Sequence, residues 1–280
     1  MTAEEGLLLG CVQMHSVLAP QENLLRCLDH LEDAAARGVR LLVFPESTSS
    51  RSDDPHVRPI AEPLDVGFVP ALAAAAAAAR HDITVVVGVM ESGPADRPYN
   101  TLVALQGGRT VAVYRKLHLY DAAGTRESDA VMPGDGPLTA FDIDGFRIGM
   151  MTCYDIRFPE LARLLAGQGA DAIVIPTSWM RGPMKELHWL TFCRARAIEN
   201  TVYIAGACQT GGDRIGRTTI VAPDGIAEAS SGIDEGLVVA RITAARLDRV
   251  RATFPMLDQR RFSIDATPRP AGLTHQGRPS

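Results

Sequence analysis

Aromatic residues make up only 5% of this 280-residue chain, basic residues never cluster into a run, and no apolar stretch approaches the thickness of a bilayer. Each shortage removes a class of function. With a formal net charge of -5 and scattered Lys and Arg, no cationic stripe is available to neutralise a phosphate backbone, so nucleic acid is not expected as a partner. The longest apolar run, Ala71–Ala79, is closed by Arg80, His81 and Asp82. A membrane span needs about 20 residues, so this run reads as a packed helix and no membrane partner is expected. Met1–Gly6 carries two acidic residues and no basic segment ahead of Leu7–Val12, which argues against a secretory signal and for a cytoplasmic protein. The five cysteines (Cys11, Cys27, Cys153, Cys193, Cys208) are odd in number and widely spaced, with neither a Cys-x-x-Cys pair nor clustered histidines. Neither a disulfide framework nor a zinc site is indicated.

The remaining composition, 46% hydrophobic and 22% charged, suits a globular protein with a large core. No Pro/Gly/Ser linker divides the chain, so residues 1–266 are expected to form one domain. Residues 267–280 are rich in Pro, Gly and Arg without periodicity, and read as a tail that is either loose or pinned to a partner subunit. No internal repeat is visible.

Apolar runs at Leu7–Met14, Arg40–Phe44 and Ile83–Val89 read as buried strands, separated by helical patterns over Pro20–Arg37 and Phe68–Arg80. Gly107-Gly108 and Asp144-Gly145 are two-residue hairpin turns, pairing Asn100–Gln106 with Arg109–Lys116 and Leu138–Ile143 with Phe146–Thr152. A second alternation follows: helix Pro159–Leu165, strand Ala172–Ile175, helix Pro183–Ile198 with proline in its first turn, and strand Val202–Cys208. Strands around Asp224-Gly225, strand Leu237–Ile242 and helix Ala244–Arg251 close the pattern. Ser47–Asp65 and Leu119–Pro133 read as loops. Helices alternating with strands, but with hairpins interspersed, predict layers of helix over mixed sheets.

Three reactive side chains sit where strands end. Glu46 follows Phe44-Pro45, Lys116 lies in Tyr114-Arg115-Lys116-Leu117-His118, and Cys153 opens Cys153-Tyr154-Asp155-Ile156-Arg157-Phe158-Pro159-Glu160 at a strand-to-helix junction. Strand ends in layered α/β folds converge on a crevice. Alone, each residue has a bland explanation: a solvated acid, a surface lysine, a small buried thiol.

Together, in this order, the three segments resemble the signature motifs of the nitrilase superfamily of carbon–nitrogen hydrolases, over nearly the whole chain. The run after Cys153, Gly182-Pro183, His188-Trp189 and Arg194–Asn200 are similar to the amidase-like branch that contains omega-amidases and deaminated glutathione amidases. The resemblance implies an α/β fold, a four-layer α-β-β-α sandwich, assembled as a homodimer or higher homo-oligomer. It implies hydrolysis of a small linear amide to acid and ammonia through a thioester, without metal or cofactor.

An amide has a weakly electrophilic carbonyl and a poor leaving group, so its hydrolysis needs an activated nucleophile, an oxyanion donor and an acid. Cys153 would attack and Glu46 would serve as general base. Lys116, with the Tyr154 backbone N–H, would stabilise the oxyanion. A glutamate titrates near about 4.3, and burial among apolar residues is expected to raise Glu46 towards neutrality. Loss of Lys116 is expected to abolish activity with little effect on folding. Glu127, in Arg126-Glu127-Ser128, matches the position where family members carry a second glutamate that holds the lysine. Trp179 resembles a pocket-lining position, and Arg181 could pair with a substrate carboxylate. Arg157 is read either as a substrate contact or as a partner of Asp155 or Glu160.

Two rival hydrolases fit poorly. Cys153, His188 and Asn200 follow the order of a papain-like protease, but its local motifs are missing, and His188 and His118 are read as structural. A class I glutaminase would place glycines around its cysteine, and Met151–Asp155 has none. The substrate class with most support is the ω-amide of a 2-oxo dicarboxylic acid or a deaminated peptide amide. An N-carbamoyl amine or amino acid is the alternative, and a catalytically silent scaffold is the alternative of another class.

Overall fold

The computed structural model describes residues 6–54 and 56–264; the expected tail at 267–280 lies outside the described residues. Two six-stranded mixed sheets form the interior. The first contains β1 (Leu7–Gln13), β2 (Leu41–Val43), β3 (Thr84–Glu91), β4 (Tyr99–Gln106), β5 (Arg109–Arg115) and β14 (Gly236–Ile242), in the order β14-β1-β2-β3-β4-β5. The second contains β8 (Ala140–Ile143), β9 (Phe146–Met150), β10 (Ala172–Val174), β11 (Tyr203–Gly206), β12 (Thr219–Val221) and β13 (Ala227–Ser230), in the order β13-β12-β11-β10-β9-β8. A two-stranded ribbon, β6 (Asp121–Ala122) with β7 (Thr125–Arg126), stands apart.

Helices α1 (Pro20–Ala36) and α2 (Phe68–Ala78) cover the outer face of the first sheet, while α3 (Pro159–Gly167) and α4 (Lys185–Asn200) cover the second. Helix α5 (Ala244–Thr253) follows β14. The layers follow from period-2 alternation in strands buried on both faces. In β3, Val86 points between the sheets while Val85, Val87 and Val89 meet α1 and α2. In β10, Ala172 and Val174 point between the sheets while Ile173 and its neighbour Ile175 meet α3 and α4. Helical spacing completes the outer layers, with Cys27, Leu31 and Ala34 of α1, and Trp189, Cys193 and Ala197 of α4, turned inward.

The sheets share one plan that the sequence conceals. In each, three parallel strands joined by two helices (β1-β2-β3, β9-β10-β11) are flanked by antiparallel strands. Two local expectations are corrected. Pro183 precedes α4 rather than opening it, because Met184 has φ of 60°, a left-handed conformation that a right-handed helix cannot include. The segment Leu119–Pro133 is not bare loop: Ala123-Gly124, both at positive φ, turn the β6–β7 ribbon. Among the described residues no helix is long and apolar enough to cross a membrane.

Candidate active site

Strand ends bring the three expected groups together. Glu46 lies three residues beyond β2, the short central strand whose ladder ends as Phe44 N–H donates to Val86 O at 2.7 Å and Pro45 interrupts the pairing. Its backbone runs against Gly88 of β3 so closely that a Cβ there would stand 2.6 Å from Glu46 Cα. Lys116 directly follows β5, and Cys153 lies three residues beyond β9.

All three side chains are buried, Lys116 with only 2% of its surface exposed. Lys116 Nζ donates to Glu46 Oε1 at 2.9 Å and to Glu127 Oε2 at 2.8 Å, so one ammonium bridges two carboxylates. Asn100 Nδ2 bridges the same pair, at 2.7 Å to Glu46 Oε1 and 3.2 Å to Glu127 Oε1. The other Glu46 oxygen accepts the Ser178 N–H at 2.7 Å, and Tyr120 N–H donates to Glu127 Oε2 at 2.6 Å. Cys153 lines the same cavity as Glu46 and is close enough to feel the charge of its carboxylate.

The electrostatics follow from this network. Burial pushes the Glu46 carboxyl up, but the Lys116 charge and the hydrogen bonds from Lys116 and Asn100 outweigh it and hold Glu46 below the ordinary range. This reverses the expected direction: the expectation counted the apolar surroundings and not the ammonium within them. Burial and the Glu46 charge hold the Cys153 thiol well above its usual value. Burial opposes the Lys116 charge, yet Glu127 and Glu46 keep it well above the ordinary lysine range. The resting cluster therefore pairs a neutral thiol with an ionised Glu46.

Cys153 adopts φ of 45°, a left-handed conformation in a non-glycine residue that costs on the order of 1–3 kcal/mol. Its N–H donates to Pro176 O at 3.0 Å, and a 3-10 turn over Cys153–Arg157 follows. Asp155, fully buried, holds this turn and the lysine segment together. It accepts Thr152 N–H at 2.9 Å and Tyr114 OH at 2.7 Å on Oδ2, and His118 N–H at 3.0 Å on Oδ1. Tyr114 and His118 flank Lys116 two residues to either side, so one carboxylate fixes the Cys153 turn relative to the ammonium. His118, read as structural, pairs with Asp155 and stacks on Phe158 at 3.7 Å.

These groups open onto a cavity of about 320 Å³, whose wall includes Glu127, Tyr154 and Trp179. Arg157 and Arg181, both expected at the substrate, do not line it. The Arg157 guanidinium lies 4.9 Å over the Trp179 ring and 5.0 Å over Phe192, and it pairs with neither Asp155 nor Glu160. Arg181 is exposed, its Nε donating to Arg214 O at 2.8 Å. The arginines in the wall are instead Arg126 and Arg214, the latter delivered by the antiparallel bridge between Met180 and Arg214. Lys185, Tyr120, Asn100 and Ser178 also line the cavity and were missed by sequence reasoning. No local motif marks them, except that Lys185 follows the Gly182-Pro183 segment. His188 is exposed on α4, outside the cavity. Among the described residues no group of three or more His, Cys, Asp or Glu side chains could hold a metal ion.

A family model for carbon-nitrogen hydrolases matches residues 8–252, from β1 into α5. The chain belongs to the carbon-nitrogen hydrolase family. A deaminated glutathione amidase of Escherichia coli O157:H7 is 38% identical over 246 residues, covering 87% of this chain and 93% of that protein. A chloroplastic omega-amidase of Arabidopsis thaliana is 31% identical, covering 91% and 73%. The crystal structure of Saccharomyces cerevisiae Nit3, a member of branch 10 of the nitrilase superfamily, aligns with a TM-score of 0.82 at 27% identity, covering 94% of this chain and 99% of that one. The α-β-β-α sandwich of this carbon-nitrogen hydrolase is thus the nitrilase fold.

Proposed function

We propose that this carbon-nitrogen hydrolase is an amidase that converts a small linear ω-amide, of a 2-oxo dicarboxylic acid or of a deaminated peptide, to the acid and ammonia. One observation carries the reading: a lysine ammonium bridging two glutamates at the floor of a cavity that a cysteine thiol also lines. The relatives named for deaminated glutathione and ω-amides support the substrate class.

In this mechanism the Cys153 sulfur attacks the amide carbon as its proton passes to Glu46. The thiol is held neutral at rest, so its proton leaves in the course of the reaction and not from a standing thiolate. The oxyanion settles between Lys116 Nζ and the Tyr154 N–H. An ammonium has three donors, and Lys116 directs them at Glu46 Oε1 and at both oxygens of Glu127, so the oxyanion takes over the donor of the longer Glu127 contact, at 3.1 Å. Tyr154 lies in the first turn of a 3-10 helix, where an N–H has no intrahelical acceptor. Glu46 returns its proton to the amide nitrogen, the C–N bond breaks, and ammonia leaves a Cys153 thioester. Water then attacks, Glu46 takes its proton, and collapse releases the acid and restores the thiol. Glu127 and Asn100 act as positioning residues for Lys116 and Glu46.

Residues 1–266 are read as one catalytic domain, supported by the family match and by the core shared between the sheets. A cytoplasmic location is supported by five free cysteines. A homodimer packed through sheet-flanking helices is proposed from the resemblance to the nitrilase superfamily. Sedimentation tests the last point directly.

An ammonia-release panel of ω-amides, N-carbamoyl compounds and nitriles tests the substrate reading. Turnover of ω-amides supports it. Release from N-carbamoyl compounds alone assigns the alternative substrate, and a Cys153 that alkylates no faster than Cys11 or Cys27 supports a silent scaffold.

A further inference from the structure

The cavity wall carries a charge opposite to that of the chain. Four basic side chains (Lys116, Arg126, Lys185, Arg214) face two acidic ones (Glu46, Glu127), in a protein of formal net charge -5. Lys116 is neutralised at the floor, and Arg126 is largely exposed beside Asp129. Lys185 and Arg214 differ from both. Lys185 Nζ donates to the neutral Tyr120 OH at 2.8 Å, with the Tyr120 and Trp179 rings 4.9 and 5.8 Å away; among the described residues it forms no ion pair with a carboxylate. Arg214 Nε donates to Ser178 Oγ at 2.7 Å, and its only described ion-pair partners lie on the half-exposed Asp213.

Each cation is tied to the reacting cluster by one intervening residue. Arg214 holds the Ser178 hydroxyl, and the Ser178 N–H is bound by Glu46. Lys185 holds the Tyr120 hydroxyl, and the Tyr120 N–H is bound by Glu127. The positions of both cations are thereby fixed relative to Cys153, one on the side of each glutamate. Two cations in one small partly desolvated wall repel each other unless an anion lies between them. Ammonium and guanidinium groups bind carboxylates through charge-assisted hydrogen bonds, which favours that anion in particular.

We infer that Lys185 and Arg214 form a carboxylate clamp. It selects amides whose far end is anionic and sets the distance from that end to the carbonyl attacked by Cys153. The inference rests on the amidase reading above and adds to it the residues that choose the substrate.

Succinamate and butyramide test the clamp, because they differ mainly in a carboxylate replaced by methyl. The wild-type enzyme is expected to prefer succinamate in kcat/KM. In Lys185→Met and in Arg214→Gln that preference falls by roughly 10–100-fold, chiefly through KM for succinamate, the loss of one charged hydrogen bond. Lys185→Arg, which keeps the charge, retains most of it. Melting temperatures measured alongside identify any variant that fails to fold, and the other variant then carries the test. An unchanged preference in both substitutions, or an equal loss on both amides in folded protein, overturns the clamp. Absence of ammonia release from either amide by the wild-type enzyme counts instead against the amidase reading.

Discussion

Replacing Lys116 by methionine removes the one cation between two buried carboxylates and preserves the length of the side chain. At 2.9 Å and an effective dielectric of about 20, the attraction to Glu46 is roughly 6 kcal/mol before the desolvation of the ammonium is subtracted. Removing one partner of a buried pair costs on the order of 3–5 kcal/mol net, a fall in Tm of roughly 6–15 °C. The loss depends on pH. In the native protein Glu46 is held below its unfolded value, so it contributes stability above the unfolded pKa, lost as pH falls through the folded one. Without Lys116, burial raises Glu46 above its unfolded value, and stability is lost as pH rises past it. Denaturant melts of both proteins at pH 4.5 and 7.5 should therefore show a small gap at the lower pH and a wide one at the higher. Adding Glu127→Gln, which removes the second stranded carboxylate, should recover part of the loss at pH 7.5. A gap that ignores pH, or a double variant weaker by the full sum of the single ones, would refute the reasoning.

Glu46 must be ionised to accept the thiol proton, so the acid limb of kcat/KM should lie below 4.5, the ordinary value for its carboxyl. Ammonia-release rates across pH check this, and a limb near neutrality would mean that burial prevails over Lys116. Gly88→Ala places a methyl 2.6 Å from both Glu46 Cα and Pro45 O, backbone that can yield only by moving Glu46. A displacement approaching 1 Å should reduce kcat about 100-fold in steady-state kinetics. Asp155→Ala strips the acceptor from Thr152, Tyr114 and His118 and should cost about 3–5 kcal/mol in a urea melt, along with most of the activity.

The layered fold was legible because its cause is local. Runs such as Ile83–Val89 alternate between two apolar environments, and Gly107-Gly108 and Asp144-Gly145 turn hairpins as their conformations allow. The positions of Glu46, Lys116 and Cys153 were legible from strand ends and from resemblance to the family motifs. What the sequence conceals is set by tertiary approach. Lys116 was expected to matter little for folding, because nothing in Tyr114–His118 reveals that two carboxylates enclose it. Asp155 was read as one of two candidate partners for Arg157, whereas it binds Thr152 in its own turn and Tyr114 and His118, which lie 41 and 37 residues away in the chain. Arg181 was read as the carboxylate contact because it follows a strand end, whereas Arg214 reaches the cavity through a bridge between segments 34 residues apart.

The most direct test is to trap the enzyme in turnover. Acid quenching of a reaction with an ω-amide, followed by intact mass and peptide mapping, should find an acyl group, added with loss of ammonia, on Cys153 and on no other cysteine. Cys153→Ala should give neither adduct nor ammonia. Undiminished ammonia release from that variant, or acylation of Cys11, Cys27, Cys193 or Cys208 in its place, would contradict nucleophilic catalysis at this site.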